Sequence, residues 1–222
     1  MRKGDVTAAG SSATVKGLDE PTVGLVRVAG AITNAEPGVL ADLMGAALGR
    51  GTGAEWLEEL VLAAVLFVGF PRALVSAAAL RTIVPEPAGE PGDAADYSSW
   101  PAWRARGEAT CRTVYGASYQ RLRRNVRALH PALDTWIVMD GYGRTLSRPA
   151  LDLKRREFCA IAMLVPQRVP RPLRSHLLGA RNAGATVREV DAVLDIVASM
   201  PIVPGSRAAA ARRLWAELRP EP

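Results

Sequence analysis

The residues able to do acid/base or redox chemistry are few in this chain. It has two histidines, His130 and His176, and two cysteines, Cys111 and Cys159. A carboxylate that orients an imidazole makes a general acid/base pair, and Glu157 with His176 is the candidate combination in this chain. Glu157 falls on a helix predicted over 152–165, and His176 falls on the next, over 171–183. The Pro-rich turn between them, 166–172, makes the helices antiparallel and can bring the two side chains together. The competing reading pairs Glu157 with Arg155, Arg156 or Arg171 and leaves His176 an ordinary helix residue. Cys159 sits two residues beyond Glu157, roughly 200° round the axis. Its neighbours Phe158, Ala160 and Ile161 are apolar, which raises a thiol pKa and predicts an inert core cysteine rather than a redox group. Two cysteines exclude a disulfide scaffold and a four-cysteine zinc site, and two histidines supply no histidine-rich centre. No metal and no cofactor is expected.

The elements that must position these residues are helices. The chain has 222 residues, 49% of them apolar, with only 5% aromatic and 23% charged. A core built from Ala, Val and Leu suits closely packed helices better than a β-sandwich. Helices are predicted over 21–33, 37–48, 54–68, 71–84, 102–115, 117–129, 131–141, 152–165, 171–183, 186–199 and 206–218, with a turn at 141–149. Thr52 and Glu55 have capping-box spacing, as do Thr186 and Glu189. The apolar run 60–70 is eleven residues, too short to cross a hydrocarbon layer of about 30 Å, and reads as a helix buried on all sides, inside a bundle or at a subunit interface. No membrane association is expected. The first 17 residues lack an apolar signal segment, so a cytoplasmic location is expected.

Charge divides the chain. Residues 1–99 hold 7 basic and 12 acidic residues, and residues 100–222 hold 21 and 10. All but three of the basic residues are arginine. A basic half can bind nucleic acid, but arginine also serves carboxylates, and an acidic half can neutralise it by packing; no nucleic-acid partner is expected. The run Arg121, Arg123, Arg124 and Arg127 reads as a solvated face or as partner to the acidic half. Tyr119, Trp136 and Tyr142 either fill the bundle or line an apolar pocket for a small-molecule substrate, with His176 at its edge.

An ordered series of similarities recurs at an offset of 133–135 residues: Val28-Ala29 with Ile161-Ala162, Met44-Gly45-Ala46 with Leu178-Gly179-Ala180, Gly51 with Gly184, Thr52 and Glu55 with Thr186 and Glu189, Arg72-Ala73 with Arg207-Ala208. The pattern predicts a degenerate internal duplication. The resulting organisation is a loose arm over 1–20, a first copy over 21–84, a Pro/Gly-rich linker over 85–99 and a more complete copy over 100–220. In the first copy Asp42 stands at the position of His176 and Gly24 at that of Glu157, so the candidate pair is confined to the second.

Three stretches carry a family resemblance: Gly143-Arg-Thr-Leu-Ser-Arg-Pro-Ala-Leu-Asp152, Arg156-Glu-Phe-Cys-Ala-Ile-Ala-Met-Leu164, and Leu173-Arg-Ser-His-Leu-Leu-Gly-Ala-Arg-Asn-Ala-Gly-Ala-Thr186 with Glu189. They resemble the carboxymuconolactone decarboxylase family, whose members share an all-α fold with the alkylhydroperoxidase AhpD-like proteins. The resemblance covers roughly 111–218 and implies helical subunits assembled as homo-oligomers, whether dimer, trimer or hexamer. In the peroxidase branch a Glu is followed by Cys-x-x-Cys and a His. Glu157 and His176 match the Glu and the His, but Val169 and Pro172 occupy the cysteine positions, so disulfide-cycling peroxidase chemistry is disabled. The decarboxylase branch is the nearer match. It implies His176 as the acid/base, Glu157 as its orienting carboxylate, and Arg148 or Arg171 as a contact for a substrate carboxylate. Arg144 stands where the decarboxylases carry an acid. A third reading is a non-catalytic helical binding or structural module.

Overall fold

In the computed structural model of the chain, residues 16–88 and 92–219 are described. Most of the predicted arm (1–15), residues 89–91 of the predicted linker and residue 220 lie outside them. The described residues form ten α-helices and no strand, as the composition predicts. They are α1 Glu20–Ile32, α2 Pro37–Gly49, α3 Ala54–Arg81, α4 Trp100–Tyr115, α5 Tyr119–Leu129, α6 Pro131–Trp136, α7 Leu153–Leu164, α8 Pro170–Asn182, α9 Val187–Ala198 and α10 Gly205–Leu218. Short 3-10 turns at Gly92–Ala95 and Tyr97–Ser99 occupy part of the predicted linker.

Local chemistry sets the helix starts. The Asp19 carboxylate accepts from the Thr22 amide at 2.7 Å and opens α1, and Asp152 does the same for Arg155 at the start of α7. Thr186 and Glu189 close the predicted capping box reciprocally. Thr52 and Glu55 do not. Gly53 takes the cap position of α3, which shifts Glu55 one residue out of register, and the Thr52 hydroxyl donates instead to the Pro21 carbonyl at 2.8 Å.

Two elements differ from the sequence reading. The apolar run 60–70 is not buried on all sides within the chain itself: it belongs to a 28-residue helix, α3, broken at Gly69 (φ 77°, ψ 167°), and Leu62, Leu66, Phe70 and Leu74 are all exposed. By length and composition alone α3 could cross a membrane, which the eleven-residue estimate did not allow. The predicted helix 131–141 and turn 141–149 are instead α6 followed by a π-helix, Ile137–Leu146. This wide helix packs closely on α4, where Gly107 lies against the Val138 carbonyl and Gly143 against the Trp103 backbone. A Cβ at either glycine would collide with main chain.

The main apolar core is shared by α1–α3 and α7–α10 and centres on Leu25, Ile32, Leu40, Met44, Phe158, Ile161 and Met163. A smaller cluster of Ala63, Cys111, Val114, Tyr119, Tyr142 and Leu146 joins α3, α4, α5 and the π-helix beside it. The candidate pair lies where these two clusters meet.

Candidate active site

Helix α7 presents opposite faces to the two clusters. Cys159 is buried in the main core, and burial pushes its thiol up to about 12, well above the reactive range. Glu157, on the other face, is 1% exposed and places Oε2 2.8 Å from Nδ1 of His176 on α8. Among the described residues Glu157 makes no ion pair with an arginine. Arg155 binds Asp152 and Asp19, and Arg156 binds Glu59.

Close helix contact makes the pair. A Cβ on Gly179 would lie 2.5 Å from Glu157 Oε2 and 2.8 Å from a Val114 methyl, so only glycine leaves room for the carboxylate between α7, α8 and α4. Phe67 of α3 sets its ring edge-on to the imidazole, 5.2 Å between centroids. His176 is left 7% exposed. Because Nδ1 faces Glu157, Nε2 is the nitrogen free to exchange a proton with a ligand.

Two phenols complete the surroundings. Tyr142 is buried and meets Tyr115 edge-on at 6.0 Å. Burial pushes the Tyr115 hydroxyl up to about 12 and that of Tyr142 well above the usual range, and the nearby Glu157 charge acts in the same direction. Both therefore stay protonated and serve as hydrogen-bond donors at neutral pH. Cys111, in the same cluster, is likewise pushed up to about 12 by burial.

Of the other residues singled out in the sequence, Tyr142 is brought to the pair, whereas Trp136 is 58% exposed and Tyr119 faces a separate cleft between α4 and α5. Arg171 is exposed at the start of α8, about 140° round the helix from His176. Arg148 binds Glu59 through Nε at 2.8 and 3.1 Å, and Arg156 donates to the same carboxylate at 2.8 Å. Arg148 also lines a cavity of about 870 Å³ with Glu59, Leu62 and Arg106; neither Glu157 nor His176 is among its lining residues. Arg144 reaches Tyr97 and Asp140. The sequence reading did not single out Phe67, which lies in the apolar run 60–70, or Tyr115 as site residues, and it took Gly179 only as part of the repeat. A glycine inside a helix that carries a candidate histidine is the one signal that could have pointed to the close contact.

Part of the chain is similar to known proteins. Residues 132–216 match the profile of the Carboxymuconolactone decarboxylase family. Over 136 residues, 60% of this chain, the sequence is 33% identical to a protein of Schizosaccharomyces pombe named Peroxisomal protein 2. The aligned part spans 63% of that relative's length. The matched stretch contains both Glu157 and His176, and over residues 132–216 this chain is similar to the carboxymuconolactone decarboxylase family.

Proposed function

We propose that the chain is a carboxy-lyase of the carboxymuconolactone decarboxylase type, acting on a small carboxylated or lactone-bearing molecule. The observation that carries this reading is the buried Glu157–His176 hydrogen bond, in which the carboxylate fixes Nδ1 and leaves Nε2 to do the chemistry. In decarboxylation the bond from carbon to the carboxylate breaks and CO2 leaves. The electron pair stays on carbon and delocalises into the adjoining lactone carbonyl. Tyr115 and Tyr142, held as neutral phenols, are suited to donate to the oxygen where that charge gathers. Protonated His176 then delivers a proton from Nε2 to carbon and is reprotonated by water. The Arg148 contact to a substrate carboxylate has a competitor in Glu59, so its place in this scheme requires the substrate to displace that ion pair.

Screening the full chain for CO2 release from carboxymuconolactone and related lactone acids tests the reading. Turnover by the wild type, lost in His176→Gln, supports it, and turnover indifferent to that change refutes it. A non-catalytic module is the second reading, and the 870 Å³ cavity favours it by standing apart from His176. It predicts no turnover in the same screen.

A further inference from the structure

A second site, on the other side of α4 from the acid/base pair, is built from arginine. A cleft of about 300 Å³ between α4 and α5 is lined by Arg104, Arg112, Arg123, Arg124 and Arg127, with Glu108 the one carboxylate among its described lining residues. Two of the guanidinium groups are anchored from beneath. Asp134, 1% exposed, accepts from Arg123 at 3.0 Å and from Arg127 at 2.6 and 2.9 Å. Tyr119, buried in the floor, accepts from Arg123 through its hydroxyl at 2.8 Å, and Arg112 lies over its ring at 4.5 Å. Arg104 and Arg112 reach Glu108 only at 3.4 and 3.7 Å, and both are more than half exposed. Arg124 has no carboxylate in ion-pair range among the described residues. Five cations thus face Glu108 and the underlying Asp134, leaving three positive charges in excess.

We infer that this cleft binds a compact polyanion, a small molecule carrying two or more phosphate or carboxylate groups. Planar guanidinium forks match such oxyanions in bidentate fashion, and a rigid base of Asp134 and Tyr119 spares much of the ordering that mobile arginines would need. The cleft has the size of a small-ligand site. It does not depend on the lyase reading, because neither Glu157 nor His176 lines it.

Calorimetric titration of the full chain with tripolyphosphate, and separately with citrate, at constant ionic strength tests the inference; the tighter of the two identifies the oxyanion. Single-site binding is expected. The double variant Arg112→Gln/Arg124→Gln is expected to weaken it about tenfold or more. Glu108→Gln, which removes the opposing charge, is expected to tighten it several-fold, a gain that misfolding cannot imitate. The distant pair Arg212→Gln/Arg213→Gln is expected to change nothing. Absence of saturable binding of either probe, no tightening in Glu108→Gln, or an equal loss in the distant pair would overturn the proposal.

Discussion

At the residue scale the acid/base pair depends on an atom that is not there. Gly179 is the only residue type that leaves the Glu157 carboxylate its place beside His176. Gly179→Ala is expected to cost about 1–3 kcal/mol in thermal or denaturant unfolding, since an added carbon in a packed helix contact forces neighbours to shift. It is also expected to lower turnover by more than the loss of folded protein explains, because the carboxylate must move. Unfolding measured beside single-turnover rates separates the two. A 19-residue separation across one short turn allows Glu157 and His176 to meet but equally allows an arginine partner for Glu157, so the pair was legible only with the family resemblance added to the spacing. Phe67 and Tyr115 were not, since they come from α3 and α4 and their approach depends on tertiary packing that no local pattern encodes.

At the element scale, α5 and α6 are locked together by buried Asp134. The side-chain hydrogen bond from Arg123 is the largest influence holding its carboxyl below the ordinary value, with Arg127 adding to it against the opposing effect of burial. A carboxyl depressed in the folded state contributes stability that is present above its unfolded value, about 3.9, and is lost as pH falls through the folded value. Asp134→Asn is expected to unfold about 1–3 kcal/mol more easily at pH 7, with a difference from the wild type that shrinks below pH 4. Urea unfolding at pH 7 and pH 3 measures both. Helices with caps and clear periodicity were read from the sequence to within a few residues, α7 to α10 among them. The π-helix was not, because Gly141 and Gly143 look like turn residues locally. What keeps them helical is the close crossing of α4 over glycine, a tertiary effect.

At the scale of the whole molecule, Glu59 ties the first three helices to the last four. It accepts from Arg148 and from Arg156, which is itself 2% exposed and leaves Nη1 without a partner among the described residues. Glu59→Gln removes the negative charge that Arg148 and Arg156 share and is expected to destabilise the chain by about 3–5 kcal/mol. The combined change Glu59→Leu/Arg156→Met is expected to recover much of that loss in the same unfolding assay. We also propose that the two halves derive from one helical unit, with α1, α2 and the two segments of α3 corresponding to α7, α8, α9 and α10. The break at Gly69 where α9 passes to α10, the matched backbone of Gly51 (φ 91°) and Gly184 (φ 92°), and Arg72 and Arg207 each donating to a carbonyl at or just after the end of the first helix of its half support that reading. Leu62, Leu66, Phe70 and Leu74 present an exposed apolar stripe of the kind a second copy of the chain would cover. We propose that a second copy covers it, and Leu66→Glu/Leu74→Glu is then expected to give monomers by light scattering where the unaltered chain is a homo-oligomer.

The central claim is that Glu157 and His176 together move a proton, and deuterium transfer tests it most directly. Decarboxylation of a carboxymuconolactone by the full chain in D2O is expected to place one carbon-bound deuterium in the lactone ring of the product. The rate should fall about a hundred- to ten-thousand-fold in His176→Gln and substantially in Glu157→Gln, and stay unchanged in Cys159→Ser. Undiminished deuterium transfer in His176→Gln, or a rate that depends on Cys159 instead, would contradict it.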